Sequence, residues 1–467
     1  MTEKKIVFPY IPNSVPEVKA QMLKEVGVSD IMELYAEIPE HLRFKGRMNL
    51  PEPILDEYSI RRHVEGLLNK NKNCSEYLNF LGAGCAQHFV PAVCDEINGR
   101  GEFLTAYSSL MWADHGKWQA WFEYQSLMGE LLDMDFLSIP TYDGAQAAAT
   151  ALSMATRLTG RSHVLIPKSM NPEVLMVVRN YLKRASGTPV AIETIEFNRE
   201  TGLLDLNDLK SKLSAETAAV FIENPTYLGS LETQAEEIGK LAREKGAEFI
   251  VYADPISLGV VKPPAQYGAT IVCGDLHSLG IHMQCGGGQS GFIASVFDMD
   301  HATKFKDIIV SITDTVKEGE HGFGVVLPIN LSYFGREEAN EFTGTNTGLW
   351  AITAAVYLSL MGPKGMEELG QTIMQKAQYA AKRISSLKGV KLAFASPFFK
   401  EFVVNFDGTG KSVKRINKAL LEHKIFGGKD VSGEFSDLGQ SALYCVTEIV
   451  TKEDIDRLVS ALGDAIE

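Results

Sequence analysis

Three short polar segments carry the residue types that could bind and activate an aldehyde cofactor. One lies directly before an alanine-rich stretch that predicts a helix, and it consists of Tyr142, Asp143, Gly144 and Ala145. Free amides at a helix start suit a phosphate group. Asn224 follows one apolar run and Asp254 follows the next. A carboxylate can pair with the pyridinium nitrogen of pyridoxal 5′-phosphate, so the combination predicts a site for that cofactor. Taken singly, Asp143 is also typical of a helix cap and Asp254 of a turn.

Pyridoxal-phosphate chemistry also needs a lysine for the Schiff base, and the loop where it is expected has none. A strand predicted over 270–273 is followed by Gly-Asp-Leu-His-Ser-Leu-Gly, which places His277 and Ser278 in that loop. Ser278 stands where a nucleophilic amine would be required, and a hydroxyl cannot form an aldimine. The next lysines are Lys262, flanked by prolines, and Lys304 and Lys306, in a segment that we predict to be helical and too distant. We therefore expect no covalent cofactor in this chain, with His277 and Ser278 as vestigial or noncovalent contacts.

Four histidines are further candidates, because imidazole titrates near neutral pH and can transfer protons. They are His88, His115, His277 and His282. Without a covalent cofactor, we favour packing or loop roles for them. The glycines at 286–288 lack the spacing of a dinucleotide site. We expect them to let a neighbouring subunit or a phosphate approach the backbone closely.

The elements that must position these loops alternate regularly from about residue 135. Helices are predicted from Ala145 to a stop at Gly160, from Pro172 behind the cap Asn171, and over 206–213 and 235–245. Strands are predicted between them over 164–166, 190–197, 219–222 and 249–252. Strands separated by helices imply right-handed crossovers and a mostly parallel sheet covered on both faces. We predict a doubly wound α/β domain that binds ligands beyond the carboxyl ends of its strands.

The two ends of the chain follow different patterns. From about residue 370, a helix (372–386), a strand (401–406), a helix (413–423), a strand (443–446) and a closing helix from Lys452 predict a smaller α+β domain. Near the start, prolines interrupt short helices, which is typical of an arm laid over another surface. We predict an N-terminal arm over 1–75, a large α/β domain over 76–365 and a small α+β domain over 366–467.

Composition restricts the class of protein. The 467 residues are 45% hydrophobic and 22% charged, which indicates a soluble globular chain with more than one domain. A net charge of −14 disfavours nucleic acid and anionic membranes as partners. We find no apolar run long enough for a membrane span or a signal peptide, and we expect a cytoplasmic protein. The six cysteines are widely spaced, so we expect reduced thiols and no structural metal.

Sequence motifs from end to end resemble the glycine dehydrogenase (decarboxylating) family, the P-protein of the glycine cleavage system, and specifically its subunit 1, the alpha chain of the two-subunit form. The motifs that carry the resemblance are Tyr-Ile-Pro at 10–12, Ile-Pro-Glu-His-Leu-Arg at 38–43, Phe-Leu-Gly-Ala-Gly at 80–84, Arg-Gly-Glu-Phe-Leu-Thr-Ala-Tyr at 100–107, Tyr-Asp-Gly-Ala at 142–145, Ala-Asp-Pro-Ile-Ser-Leu-Gly at 253–259, Phe-Phe-Lys-Glu-Phe at 398–402 and Val-Thr-Glu at 446–448.

The resemblance implies a type I pyridoxal-phosphate transferase fold. It also implies an alpha chain that has no cofactor lysine and pairs with a lysine-bearing beta chain in a heterotetramer, which agrees with Ser278. The family's holoenzyme decarboxylates glycine on pyridoxal 5′-phosphate and passes the aminomethyl group to the lipoyl arm of the H-protein. The alpha chain would then be a structural partner, and its own cleft would be vestigial.

Several ligand loops depart from the family pattern. Asn171 occupies the place of a histidine that would stack on the cofactor ring, and the usual Pro-Glu and Ser-Gln elements are missing from 108–117. The segments 276–278, 284–291 and 343–347 also differ. Two alternatives therefore stay open. One is a divergent enzyme that binds pyridoxal phosphate noncovalently and acts on another amino acid or an acyl substrate; the other is a small-anion or acyl binding protein.

Overall fold

The structure, a computed structural model, describes residues 7–46, 48–104, 115–183, 189–286, 288–341 and 346–467. The divergent segments 108–117 and 343–347 lie largely outside these ranges. The chain forms two compact units, Met1–Lys72 and Asn73–Glu467.

The described residues of the first unit form two α-helices and three short 3-10 turns. Helix α1 (Pro16–Val26) has proline at its first position and ends at Gly27, whose φ of 86° is left-handed. Helix α2 (Glu57–Leu68) begins at Asp56, whose side chain accepts a hydrogen bond from the Ser59 amide. None of the described residues of this unit is buried. The part of this unit that the structure describes therefore has no hydrophobic core of its own.

The second unit contains fifteen strands and eleven α-helices among its described residues. The strands are β1 (Leu78–Asn79), β2 (Phe136–Leu137), β3 (His163–Pro167), β4 (Ala191–Ile195), β5 (Thr217–Asn224), β6 (Glu248–Ala253), β7 (Ile271–Asp275), β8 (Gly291–Ser295), β9 (Ile309–Asp314), β10 (His321–Val326), β11 (Lys391–Leu392), β12 (Glu401–Asn405), β13 (Ile425–Phe426), β14 (Lys429–Asp430) and β15 (Ser441–Cys445). The helices are α3 (Ala92–Asn98), α4 (Trp118–Leu132), α5 (Gly144–Thr159), α6 (Pro172–Leu182), α7 (Leu206–Lys212), α8 (Ala235–Glu244), α9 (Met299–Ala302), α10 (Ser332–Gly335), α11 (Gly348–Ile384), α12 (Val413–Glu422) and α13 (Lys452–Ile466).

A seven-stranded sheet in the order β2-β8-β7-β6-β5-β3-β4 forms the centre of this unit. Strands β7, β6, β5, β3 and β4 are parallel; at one edge β8 pairs antiparallel with β7, and β2 pairs antiparallel with β8. Every residue of β5 is buried, as expected for a strand covered on both faces. The predicted doubly wound, mostly parallel sheet is confirmed.

Helix α5 positions the first predicted ligand loop against this sheet. Its cap Asp143 accepts a hydrogen bond from the Gln146 amide, and the helix ends at Gly160 with a φ of 68°. Small alanine side chains along the helix are fully buried, which lets the helix approach the sheet closely. The predicted limits of this helix are therefore close to the observed ones.

A four-stranded antiparallel sheet in the order β11-β12-β15-β14 lies in the C-terminal part of the chain. Its apolar face packs with α12, α13 and the end of α11 in a core of its own. Helix α13 begins with a capping box formed by Thr451 and Asp454. The observed elements agree with an α+β arrangement, while the division of the chain near residue 365 stays a prediction.

Three predicted elements need correction. The helix predicted over 372–386 is the last part of α11, a 37-residue helix interrupted at Gly362 (φ 60°, ψ 177°). Pro363 follows that residue, and the proline ring disfavours a helical conformation at the residue before it. Strand β7 continues to Asp275, beyond the predicted end at residue 273. Helix α9 ends at Ala302, so Lys304 and Lys306 lie after it rather than within a helix.

Candidate functional site

A cleft opens at the carboxyl ends of β5, β6 and β7, where a parallel sheet is expected to bind ligands. The segment before α3, the start of α6 and the residues around the start of β12 complete its wall. It is lined by Gly84, Cys85, Ala86, Asn171, Val174, Glu223, Pro225, Tyr227, Tyr252, Ala253, Asp254, Asp275, His277, Ser278, Lys400 and Glu401.

An ion pair occupies the middle of the cleft. The Nζ atom of Lys400 lies 2.6 Å from Oδ2 of Asp254, and the two side chains are only 13% and 19% exposed. The Ser278 hydroxyl donates to the other carboxylate oxygen at 3.1 Å. Burial opposes ionisation of Asp254, but the Lys400 ammonium outweighs it and holds the pKa of Asp254 below its ordinary value. Both groups are therefore charged, and the carboxylate has its counter-charge within the chain.

A buried histidine extends this pair toward the C-terminal sheet. The Lys400 ammonium lies 3.3 Å from Nε2 of His88, whose Nδ1 lies 2.9 Å from a carboxylate oxygen of Glu448. The amide of Phe89 donates to the other oxygen of Glu448 at 2.6 Å. These distances are satisfied when Nδ1 of His88 donates to Glu448 and Nε2 accepts from Lys400. The contacts join the segments that follow β6 and β15 to the segments that precede α3 and β12.

His277 lies beside this network and stays neutral. Burial lowers the pKa of His277 to about 3, and the nearby His88 and Lys400 act in the same direction. Its Nε2 lies 3.7 Å from the sulfur of Cys85. Burial raises the pKa of the Cys85 thiol. The two residues therefore form a neutral contact and not an activated thiolate pair.

Asp275 is held by the main chain at the other side of the cleft. One carboxylate oxygen accepts from the Gly144 amide at 2.8 Å, and the other accepts from the amides of His277 at 2.8 Å and Ser290 at 3.4 Å. Burial raises the pKa of Asp275 to about 7 despite these bonds. A Cβ atom at position 144 would come 2.2 Å from the hydroxyl of Tyr252, so this approach needs glycine.

A second buried carboxyl, that of Glu223, lies at the end of β5. It accepts from the amides of Asn171 at 3.2 Å and Tyr227 at 3.0 Å. Burial raises the pKa of Glu223 from 4.5 to about 7. Glu223 thereby ties the start of α6 to the turn after β5, and its protonation is coupled to folding.

Changing Glu223 to glutamine should reduce the pH dependence of stability. A carboxyl whose pKa is raised by folding contributes stability that is complete below its ordinary pKa and is lost as the pH rises to about 7. We expect the free energy of unfolding of the parent protein to fall between pH 5.5 and pH 8 by about 1–2 kcal/mol more than that of the variant. Urea titrations at the two pH values measure this difference. Glu200→Gln, at an exposed position, is the control; an unchanged difference in Glu223→Gln would contradict the expectation.

The structure brings together only part of the sequence-predicted site. Asp254, His277 and Ser278 line the cleft. Asn224 does not, because its amide nitrogen donates to the Tyr267 hydroxyl at 3.4 Å and its oxygen accepts from the Glu232 amide at 3.1 Å. Its neighbour Glu223 faces the cleft instead.

The loop before α5 also differs from the predicted phosphate cup. Asp143 caps the helix, Tyr142 is exposed, and Ala145 is half-buried outside the cleft lining. The Gly144 amide, expected to be free for an anion, already donates to Asp275. The helix-cap interpretation of Asp143 therefore describes its observed contact.

The histidine candidates separate into two groups. His88 and His277 lie at the cleft, whereas His282 pairs with Asp95 at an exposed position. The side chain of His115 lies outside the described residues. Among the described residues, no cluster of three His, Cys, Asp or Glu side chains could hold a metal ion.

Sequence reasoning missed the residues that define the cleft, above all Lys400 and Asp275. The search for an amine covered only the loops that follow Asp254, and Lys400 lies far along the chain. A usable signal was present, since Lys400 and Glu401 are charged residues within the aromatic segment Phe-Phe-Lys-Glu-Phe at 398–402. Lysine is rarely buried without a charged partner, so such a segment indicates an internal ion pair.

The family model described as glycine cleavage system P-protein matches residues 9–462 of this chain. The chain belongs to the glycine cleavage system P-protein family. The resemblance inferred from its motifs is confirmed.

Relatives of this P-protein chain match it over nearly their whole length. A Staphylothermus marinus protein named "probable glycine dehydrogenase (decarboxylating) subunit 1" is 40% identical, with 98% of each chain covered. A Pyrococcus horikoshii protein of the same name is 38% identical, with 98% of this chain and 99% of the relative covered.

Solved structures agree with the assignment. The crystal structure of glycine decarboxylase (P-protein) of the glycine cleavage system, in inhibitor-bound form, is 32% identical, with a TM-score of 0.84 over 98% of this chain and 100% of that one. A Burkholderia pseudomallei sphingosine-1-phosphate lyase, at 14% identity and a TM-score of 0.64 over 92% and 94% of the chains, shares the fold. The predicted type I pyridoxal-phosphate transferase fold is confirmed.

The cleft of this P-protein chain does not fit pyridoxal 5′-phosphate, the cofactor on which the family depends. Ser278, at the position expected for the Schiff-base lysine, donates to Asp254. The carboxylate expected to pair with the pyridinium nitrogen already pairs with Lys400. Asn171, expected at the place of a stacking side chain, is buried and caps α6. No step of a cofactor-dependent reaction follows from this cleft.

Proposed function

We propose that this P-protein chain is the non-anchoring alpha subunit of glycine dehydrogenase (decarboxylating). The enzyme decarboxylates glycine and passes the aminomethyl group to a lipoyl carrier. Two relatives named subunit 1, at 38–40% identity, support this assignment. The observation that carries the alpha-chain assignment is the Ser278 hydroxyl bonded to Asp254, where an anchoring subunit requires a lysine.

The amine present in the cleft does not replace that lysine. Burial tends to release the proton of Lys400, but Asp254 and the neighbouring acidic groups raise the pKa of Lys400 above its ordinary value. A protonated amine cannot attack an aldehyde, and the ion pair holds it at Asp254. The chain alone should therefore be inactive.

The partner that we propose is a lysine-bearing beta subunit, similar to glycine dehydrogenase subunit 2, which holds pyridoxal 5′-phosphate. When bound there, the cofactor supplies an electron sink for decarboxylation. A lipoylated H-protein is the proposed acceptor, and glycine is the small amino acid substrate. The first unit of this chain suits a role in assembly, because apolar residues such as Val18, Met22 and Val26 recur on one face of α1 and are exposed.

We also propose a cytoplasmic location. The described residues include no helix long and apolar enough to cross a membrane. The net charge of −14 further disfavours binding to an anionic membrane surface.

Reconstitution tests the proposed function. We expect no exchange of labelled bicarbonate into the glycine carboxyl group with the purified chain and H-protein, even with added pyridoxal 5′-phosphate. Addition of the beta subunit should give activity at least a hundredfold above background, while the beta subunit alone should stay near background. Activity of this chain alone, or an inactive but correctly assembled mixture, would contradict the proposal.

A further inference from the structure

Lys400 and Asp275 both line the cleft at the strand ends. We infer that Lys400 takes the place of the pyridinium cation and Asp275 the place of the phosphate group, so that the cleft is filled by its own side chains and excludes the cofactor. The inference deepens the proposed function and rests on it, because it explains how a non-anchoring subunit keeps its cleft empty of cofactor beyond the lack of a lysine.

Main-chain amides surround Asp275 at what we call the anion end of the cleft. Three main-chain N–H groups from separate elements, at the start of α5, after β7 and before β8, converge on the two oxygens of Asp275. Converging amides form an anion site, and a helix start adds a favourable partial charge. Apart from burial, the largest influences on the ionisation of Asp275 are these three amides. The carboxyl group thus accepts from main-chain amides in the way that a phosphate oxygen would.

The ion pair between Lys400 and Asp254, at what we call the cation end of the cleft, supports the inference independently of the amides around Asp275. Asp254 follows β6, where the cofactor's pyridinium nitrogen would need a carboxylate. The Lys400 ammonium lies 2.6 Å from Oδ2 of Asp254 and 3.3 Å from Nε2 of His88. The pair is mostly buried, so a cofactor could reach Asp254 only by displacing the ammonium, which would leave Lys400 without its counter-charge.

The two substitutions act together because both side chains line one cleft. A cofactor that enters must displace a carboxylate from three amides and an ammonium from a carboxylate. Ser278 offers no covalent bond in return. Adding a lysine at position 278 alone should therefore not restore cofactor binding, whereas clearing both ends should restore noncovalent binding.

Binding of inorganic phosphate to Asp275→Ala tests the anion end. The change frees the amides of Gly144, His277 and Ser290. We expect binding by isothermal titration calorimetry in phosphate-free buffer, with an affinity at least tenfold above any binding by the parent chain. Asp275→Asn is the matched control, because it keeps an oxygen in the amide cup and should not gain binding. Asp275→Ser serves if the alanine variant does not fold. Failure of the soluble small-side-chain variant to gain phosphate binding would overturn the inference.

Pyridoxamine 5′-phosphate tests the cation end, since it lacks the aldehyde that would label surface lysines. We expect Asp275→Ala to bind it no more tightly than phosphate, and Asp275→Ala/Lys400→Ala to bind it at least tenfold more tightly than phosphate. Equal binding of the two ligands by the double variant would overturn the role inferred for Lys400. Tight binding of pyridoxamine 5′-phosphate by the parent chain would overturn it as well. Neither result depends on glycine decarboxylation, so failure here and failure of the proposed function are distinguishable.

Discussion

Replacement of Lys400 by methionine is expected to lower the free energy of unfolding by about 2–4 kcal/mol, because it leaves the Asp254 carboxylate in the cleft without its counter-charge. The estimate lies below the largest values for buried pairs, since the two side chains keep 13% and 19% exposure. Methionine preserves most of the lysine stem, so the loss reports the charge rather than the packing. Urea titration of the parent and variant chains measures it.

A double variant separates the charge effect from damage to the fold. Lys400→Met/Asp254→Asn carries no buried charge at this pair and should recover at least half of the lost stability. Lys168→Met is the matched surface control, because Lys168 pairs with Glu196 and both side chains are close to half-exposed. Its effect should stay within about 0.5 kcal/mol. Equal decreases in the free energy of unfolding of Lys400→Met and Lys168→Met would show that the ion pair in the cleft stabilises the fold no more than a surface pair does.

A close backbone approach allows Lys400 to reach the cleft. Gly229 has a φ of 95°, and a Cβ atom there would come 2.1 Å from the carbonyl oxygen of Glu401. The turn after β5 therefore contacts the start of β12 directly. The antiparallel bridge between Ser230 and Phe398 continues this contact. The C-terminal sheet is thus fixed against the end of β5, and the ion pair between Lys400 and Asp254 forms across this junction.

The fold could be predicted well from sequence because local signals repeat along the chain. Asn171 before Pro172, Gly160 after an alanine-rich helix and the apolar run of β5 each specify an element by short-range chemistry. Helix α11 was the exception, since Gly362 and Pro363 interrupt it and conceal its length. Glycine and proline are typical of a helix end, but at these two positions they only interrupt α11.

The site could be predicted only where its residues follow strand ends. Asp254 and Ser278 were found because each comes just after a strand of the parallel sheet. Lys400, His88 and Glu448 reach the cleft through pairings between distant segments, and no local pattern specifies such contacts. The sequence could not predict that Asp275 already fills the expected phosphate cup, because the contact between Gly144 and Asp275 also joins distant parts of the chain.

Chemical reduction locates the amine that binds the cofactor in the assembled enzyme. Borohydride reduces a Schiff base to a stable amine, so it fixes the pyridoxyl group on the lysine that formed it. In the assembled enzyme we expect one pyridoxyl group on a lysine of the partner subunit. This chain should carry none above the level of its exposed lysines, because Ser278 has no amine and Lys400 is held by Asp254.

Peptide mapping by mass spectrometry after borohydride treatment of the complex, loaded with a single equivalent of pyridoxal 5′-phosphate, is the most direct test. Lys400→Arg is a suitable comparison, since arginine keeps the charge but cannot form a Schiff base. We expect a stoichiometric adduct on the partner and an identical map for the variant complex. A stoichiometric adduct on this chain, at Lys400 or at any other lysine, would contradict it.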